Sequence, residues 1–188
     1  NNSCGGRSLK YGMMRDNVLS IQAILNDVKE YCFGDIDIDK LKNNSNLNIF
    51  NNNIFKLYEQ VKKNKNVILN DFPKVLRRVA GYNVDALLPD AMSYRPNGKK
   101  GDGINLSHFL VGSEGTLGYF TKIKLKLSEL PSKKVMGVCH FPSFYESMDA
   151  AQHIVKLNPV SVELIDDTML NLANDIQIFR KTVKDIVV

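Results

Sequence analysis

The sequence predicts a mixed α+β chain built with α/β units, and three observations carry that expectation. Apolar and polar residues alternate with period two through residues 17–25 and 119–127, the signature of half-buried strands. Ile54, Leu57, Tyr58, Val61, Ile68 and Leu69 instead share one helical face of residues 51–71, with lysines on the other side. Beyond Pro131, apolar runs alternate with capped helical stretches in the order β-α-β-α.

In chain order, residues 1–16 hold Gly5, Gly6 and Gly12 among polar neighbours and read as an irregular loop with little to bury. A strand follows at 17–25, ended by Asp27, and a short second strand at 30–33 is closed by Gly34-Asp35. The Asn-rich tract 43–53 reads as a loop. Phe72-Pro73 stops the helix over 51–71, and Pro73 is placed to open another at 74–79, ended by Gly81.

Residues 94–103 contain glycines and lysines but lack both a preceding buried strand and a Gly-Lys-Ser/Thr ending, so they read as an exposed loop and not a phosphate loop. A strand is expected at 104–111. Along 119–127, Tyr119, Thr121, Ile123, Leu125 and Leu127 are expected to be buried, with the Lys122, Lys124 and Lys126 side wet.

Glu129-Leu130-Pro131-Ser132 breaks the chain into two expected domains, 1–130 and 131–188. In the second, strands at 134–141 and 160–165 flank a helix over 143–156, in which Ser143 and Glu146 have capping-box spacing. Asp166-Asp167 starts another helix through Ala173.

With 188 residues and 44% hydrophobic content, the chain can bury a real core. No run reaches the length of a membrane span and no basic-then-apolar leader opens it, so a cytoplasmic setting is expected. It opens on Asn1-Asn2-Ser3 and closes on Ile186-Val187-Val188, which reads as a segment of a longer protein. The formal charge of +5 comes from lysines scattered among carboxylates, which reads as solvated faces; no aromatic platform or known motif supports nucleic-acid binding. Cys4, Cys32 and Cys139, like His108, His140 and His153, are too scattered for a metal site or disulfide framework.

The most informative stretch is Val111-Gly112-Ser113-Glu114-Gly115-Thr116-Leu117-Gly118. It reads either as a tight turn between strands or as a cradle in which glycines admit a ligand and Ser113, Glu114 and Thr116 supply polar groups. A second unusual loop, Asn2-Ser3-Cys4-Gly5-Gly6 with Tyr11-Gly12 and Asp16-Asn17, opens the chain. Arg77-Arg78-Val79-Ala80-Gly81-Tyr82-Asn83 lies between them, its arginines either surface charges or anion contacts.

In that order the three motifs resemble the FAD-linked oxidases of the vanillyl-alcohol oxidase superfamily, and within it the glycolate oxidase subunit and D-lactate or D-2-hydroxyglutarate dehydrogenase group. The resemblance implies the second subdomain of a PCMH-type FAD-binding domain over residues 1–130. It also implies the beginning of an α/β cap domain over 131–188, with the first subdomain upstream of Asn1. The implied cofactor is FAD, and the implied substrate a small D-2-hydroxy acid that yields hydride to the flavin, whose electrons pass to a further acceptor. Long relatives add an iron–sulfur segment.

By that resemblance Asn2, Ser3, Cys4, Gly5, Gly6, Tyr11 and Gly12 line the flavin and pyrophosphate, while Gly112, Ser113, Glu114, Gly115, Thr116, Gly118 and Tyr119 lie towards the adenosine. Asp16 and Asn17 bond cofactor or loop backbone, or Asp16 only caps the turn before the strand. Arg77, Tyr82 and Asn83 are candidate flavin or substrate contacts. Cys4 reads as a small close-packed residue and not a covalent flavin link, and Glu114 as loop architecture or a ribose contact. The catalytic base and any substrate-site metal ligands are expected downstream of Val188. The chain alone is expected to be inactive and to hold FAD poorly.

Overall fold

The computed structural model describes residues 2–42, 48–75, 77–88 and 104–186. The loop expected at 94–103 lies outside them, as does part of the Asn-rich tract. The chain divides into two units, residues 1–128 and 129–188.

In the first unit, α1 (Ser8–Tyr11) and α2 (Met14–Asn17) precede β1 (Val18–Ile24), β2 (Glu30–Phe33) and β3 (Asp35–Ile36). Helices α3 (Ile38–Lys42), α4 (Ile49–Lys63) and α5 (Lys65–Asp71) follow, then a 3-10 turn at Val84–Leu87. Strand β4 (Ile104–Asn105), α6 (Ser107–Leu110) and β5 (Tyr119–Leu125) complete it. The main sheet is antiparallel in the order β2-β1-β5, and β3 pairs with β4.

The opening segment is neither irregular throughout nor free of burial. It coils into two single turns and buries Asn2, Ser8, Met13 and Arg15. Asp16 accepts the Met13 N–H at 3.0 Å, which closes the second turn.

Strands β1 and β2 stand where alternation placed them. The helical face is also observed, with Ile54, Val61 and Ile68 buried against the sheet, but in two helices. The break falls at Asn64, whose side-chain amide donates to the Gln60 carbonyl at 2.8 Å and so competes with the helical ladder. Asn48 caps α4 by accepting from Asn51 N–H at 2.8 Å. Phe50 pins α4 to the hairpin, stacked on Tyr31 at 4.3 Å and edge-on to Phe33 at 5.2 Å.

The helix expected at 74–79 does not form among the described residues. Six residues are too few to nucleate a helix unaided, and Arg78 is drawn into an ion pair with Asp85. The strand expected at 104–111 lasts two residues before the chain coils into α6. There Ser107 Oγ and His108 Nε2 both reach the Val18 carbonyl, at 3.3 and 3.1 Å.

Strand β5 forms, but its faces are reassigned. The register carries an extra residue on β1 at Leu19 and one on β5 at Thr121, where Gln22 pairs with Lys122 and Ala23 with Phe120. The bulge at Thr121 turns Phe120 onto the core beside Ala23 and leaves Tyr119 73% exposed, while Ile123 and Leu125 are half exposed.

The second unit holds α7 (Phe144–Ile154), α8 (Asp167–Asp175) and α9 (Arg180–Ile186). Ser143 and Asp166 cap the first two by accepting from Glu146 N–H at 3.2 Å and Met169 N–H at 2.8 Å. Neither expected strand, 134–141 or 160–165, is present. An isolated apolar run becomes a strand only when another strand pairs with it, and no ladder exists in this unit among the described residues.

Candidate functional site

Three segments converge in the first unit: the opening loop, residues 78–88 and the turn after α6. At their centre lies Arg15, 5% exposed, whose own N–H donates to Asn2 Oδ1 at 3.0 Å. Its guanidinium donates to Asn83 Oδ1 at 2.8 Å and lies 3.5 Å from Asp85 and 3.7 Å from Asp16. Arg78 pairs with the second oxygen of Asp85 and lies over the Phe72 ring at 4.8 Å. Two arginines and two aspartates thus form a charge-balanced buried cluster.

Asn83, 1% exposed, completes the junction. Its amide nitrogen donates to the carbonyls of His108 at 3.2 Å and Val111 at 2.6 Å, which holds the entry to the glycine turn. Gly112 adopts φ +90°, and a Cβ there would lie 3.4 Å from Asn2 Cβ and 3.6 Å from the Gly81 carbonyl oxygen. Those contacts are ordinary van der Waals distances, so it is the positive φ that calls for glycine.

Within the turn, Ser113 N–H donates to Leu110 O at 3.1 Å, and Thr116 returns to Ser113 O through its N–H at 3.0 Å and its hydroxyl at 2.6 Å. Because that hydroxyl already donates, the Tyr82 hydroxyl 2.7 Å away donates to it. Glu114 is exposed with φ +50°, so it shapes the turn.

Among the described residues, Asn2 Nδ2, Ser8 Oγ and Ser113 Oγ are buried polar atoms with neither a hydrogen-bond nor an ion-pair partner. Since the N–H of Arg15 occupies Asn2 Oδ1, the atom left over on Asn2 is a donor. Gly5, Gly81 and Gly115 face open space, with nothing within 4 Å of an added Cβ.

An open cleft of about 280 Å³ lies between the opening loop and the end of β5. Ser3, Cys4, Gly5, Tyr11, Gly12 and Asn17 line it, joined by Arg7, Ser8, Met14, Leu125, Lys126 and Ser128, which sequence reasoning did not single out. Asn17 also braces the loop, its amide donating to Tyr11 O at 2.9 Å and Met13 O at 3.0 Å.

Asn2, Gly112, Tyr82, Asn83, Ser113 and Thr116 are therefore gathered around one junction. Arg77 is exposed, and its neighbour Arg78 makes the ion pair. Arg15 and Asp85 were missed because a charged residue beside polar neighbours reads as solvated until its distant partner is known.

The comparisons fall on the same chain. Residues 130–185 match the family described as FAD linked oxidases, C-terminal domain. That match lies within the second unit of the chain. It is 28% identical over 174 residues to a D-2-hydroxyglutarate dehydrogenase of Escherichia coli (strain K12), covering 91% of this chain and 16% of that relative. A protein of Danio rerio named probable D-lactate dehydrogenase, mitochondrial, is 36% identical over 100 residues, 49% of this chain and 20% of its own length. The Arabidopsis thaliana D-lactate dehydrogenase [cytochrome], mitochondrial, is 35% identical over 78 residues, 40% of this chain and 14% of its own. This chain thus spans at most about a fifth of the length of each of these relatives. No solved structure matches it.

Proposed function

We propose that the chain forms one wall of an FAD site in an oxidoreductase acting on D-2-hydroxy acids, of the D-2-hydroxyglutarate, D-lactate or glycolate type. The observation that carries this reading is likeness to a D-2-hydroxyglutarate dehydrogenase across 91% of the chain.

The residues fit the cofactor. Buried donors without partners at Asn2 and Ser113 suit phosphate or ring oxygens, because a buried unsatisfied donor costs about 1–3 kcal/mol that an incoming acceptor restores. The open faces of Gly5 and Gly115 leave room for a ligand to lie against backbone.

In this reading Asn2, Ser3, Cys4, Gly5, Gly6, Tyr11 and Gly12 hold the flavin and pyrophosphate. Gly112, Ser113, Gly115 and Thr116 lie towards the adenosine, with Tyr119 beyond. Residues 1–130 act as the second subdomain of the FAD-binding domain and 131–188 as the beginning of the cap. Bound FAD supplies the acceptor for the C2 hydrogen of the substrate. This chain's part is to bind and orient; Arg7 and Lys126 at the cleft favour an anionic occupant. The downstream electron acceptor, with or without an iron–sulfur segment, lies outside these residues.

The test uses the protein at its full natural length. Flavin released by heat is expected to be FAD, and D-2-hydroxyglutarate, D-lactate or glycolate to bleach the flavin under anaerobic conditions while L-enantiomers do not. A purified protein that takes up no FAD, or one bleached by sugars and alcohols alone, would overturn the assignment.

A further inference from the structure

We propose that Arg15 and Asn83 are a positioning pair that locks the opening loop to the glycine turn, so that the two halves of this wall are set as one unit. The inference rests on the FAD reading above. Neither side chain is offered to a ligand, because both are buried within the protein. Asn83 uses its carbonyl oxygen on Arg15 and its amide nitrogen on the His108 and Val111 carbonyls. Arg15 reaches outward with its guanidinium to Asn83 and Asp85, and with its backbone N–H to Asn2.

That arrangement has a direction. The Arg15 N–H fixes which end of the Asn2 amide is left over, and the Asn83 amide fixes the carbonyl immediately before Gly112. The unpartnered Asn2 Nδ2 is therefore one hydrogen bond from Arg15, and the unpartnered Ser113 Oγ lies two residues beyond the Val111 carbonyl that Asn83 holds. A pocket whose donors are set before the ligand arrives loses less on binding than one that must order them.

Around the pair the charges are Asp16, Asp85 and Arg78, all within the same cluster. Removing one charge from such a cluster lowers stability as well as binding, so stability alone cannot discriminate. A stability-matched control, Ile68→Ala on the far helix α5, separates the two effects.

The experiment measures FAD affinity in the full-length protein for Arg15→Met, Arg15→Lys, Asn83→Ala, the Arg15→Met/Asn83→Ala double variant and the Ile68→Ala control. Each of the first and third is expected to weaken FAD binding about tenfold, with the double variant little worse than either single, as coupled residues behave. Arg15→Lys keeps the charge and recovers part of the loss, and Ile68→Ala lowers the unfolding midpoint with FAD affinity intact. A double variant whose loss is the full product of the singles, or singles no weaker than the control, would overturn the pair. If the wild-type protein takes up no FAD, the reading of the site falls, and the pair with it.

Discussion

A Cβ placed on Gly118 would lie 3.0 Å from the Ile24 carbonyl oxygen and 3.1 Å from Leu25 Cδ2, because β5 begins hard against the end of β1. Gly118→Ala is therefore expected to lower stability by about 1–3 kcal/mol, read from denaturant midpoints. Asp85→Ala leaves Arg15 and Arg78 buried without their shared carboxylate and is expected to cost about 3–5 kcal/mol by the same measurement. The glycine spacing was visible in the sequence, but the reasons were not: Gly112 and Gly115 answer to positive φ, and Gly118 to the end of β1. The neighbours of Gly118, Ile24 and Leu25, are distant in sequence, and no local pattern encodes them. Arg15 was illegible for the same reason, its partners Asn83 and Asp85 lying some seventy positions away.

The signals that succeeded at the scale of elements were local ones. Ser143 and Asp166 each announced a helix because a cap needs only its own next three residues, and Ser143→Ala or Asp166→Ala is expected to cost about 1 kcal/mol of helix stability, seen as reduced ellipticity. The failed strands at 134–141 and 160–165 show the converse, since pairing is not a property of the run itself. The β1–β2 hairpin adds a pH-dependent contact. The Tyr31 hydroxyl donates to Asp27, which holds that carboxyl below its usual range. A lowered carboxyl contributes stability above its unfolded value, and that contribution is lost as pH falls through the folded value. Acid is thus expected to loosen the loop in the wild-type chain, and Tyr31→Phe to remove that acid step, followed through amide exchange at Asp27 and Lys29.

At the scale of the molecule, the two units differ in how much they bury. Nearly all buried hydrophobic residues belong to the first, whereas Leu130 and Val135 are 91% and 99% exposed. Limited trypsin digestion of the 188-residue chain is expected to cut first at Lys133 or Lys134 and to leave a resistant piece that ends there; early cleavage between β1 and β2 would contradict this. No helix among the described residues is long and apolar enough to cross a membrane. The position of the site depends on the extra residue at Leu19. Its carbonyl accepts the Asn105 amide at 2.9 Å, and the carbonyl of Val18 beside it accepts from Ser107 and His108. A designer who deleted Leu19 to straighten the ladder would gain a more regular sheet and lose the mooring of the segment that delivers the glycine turn. The irregularity is an address, and tidying the strand would misdeliver everything downstream of it.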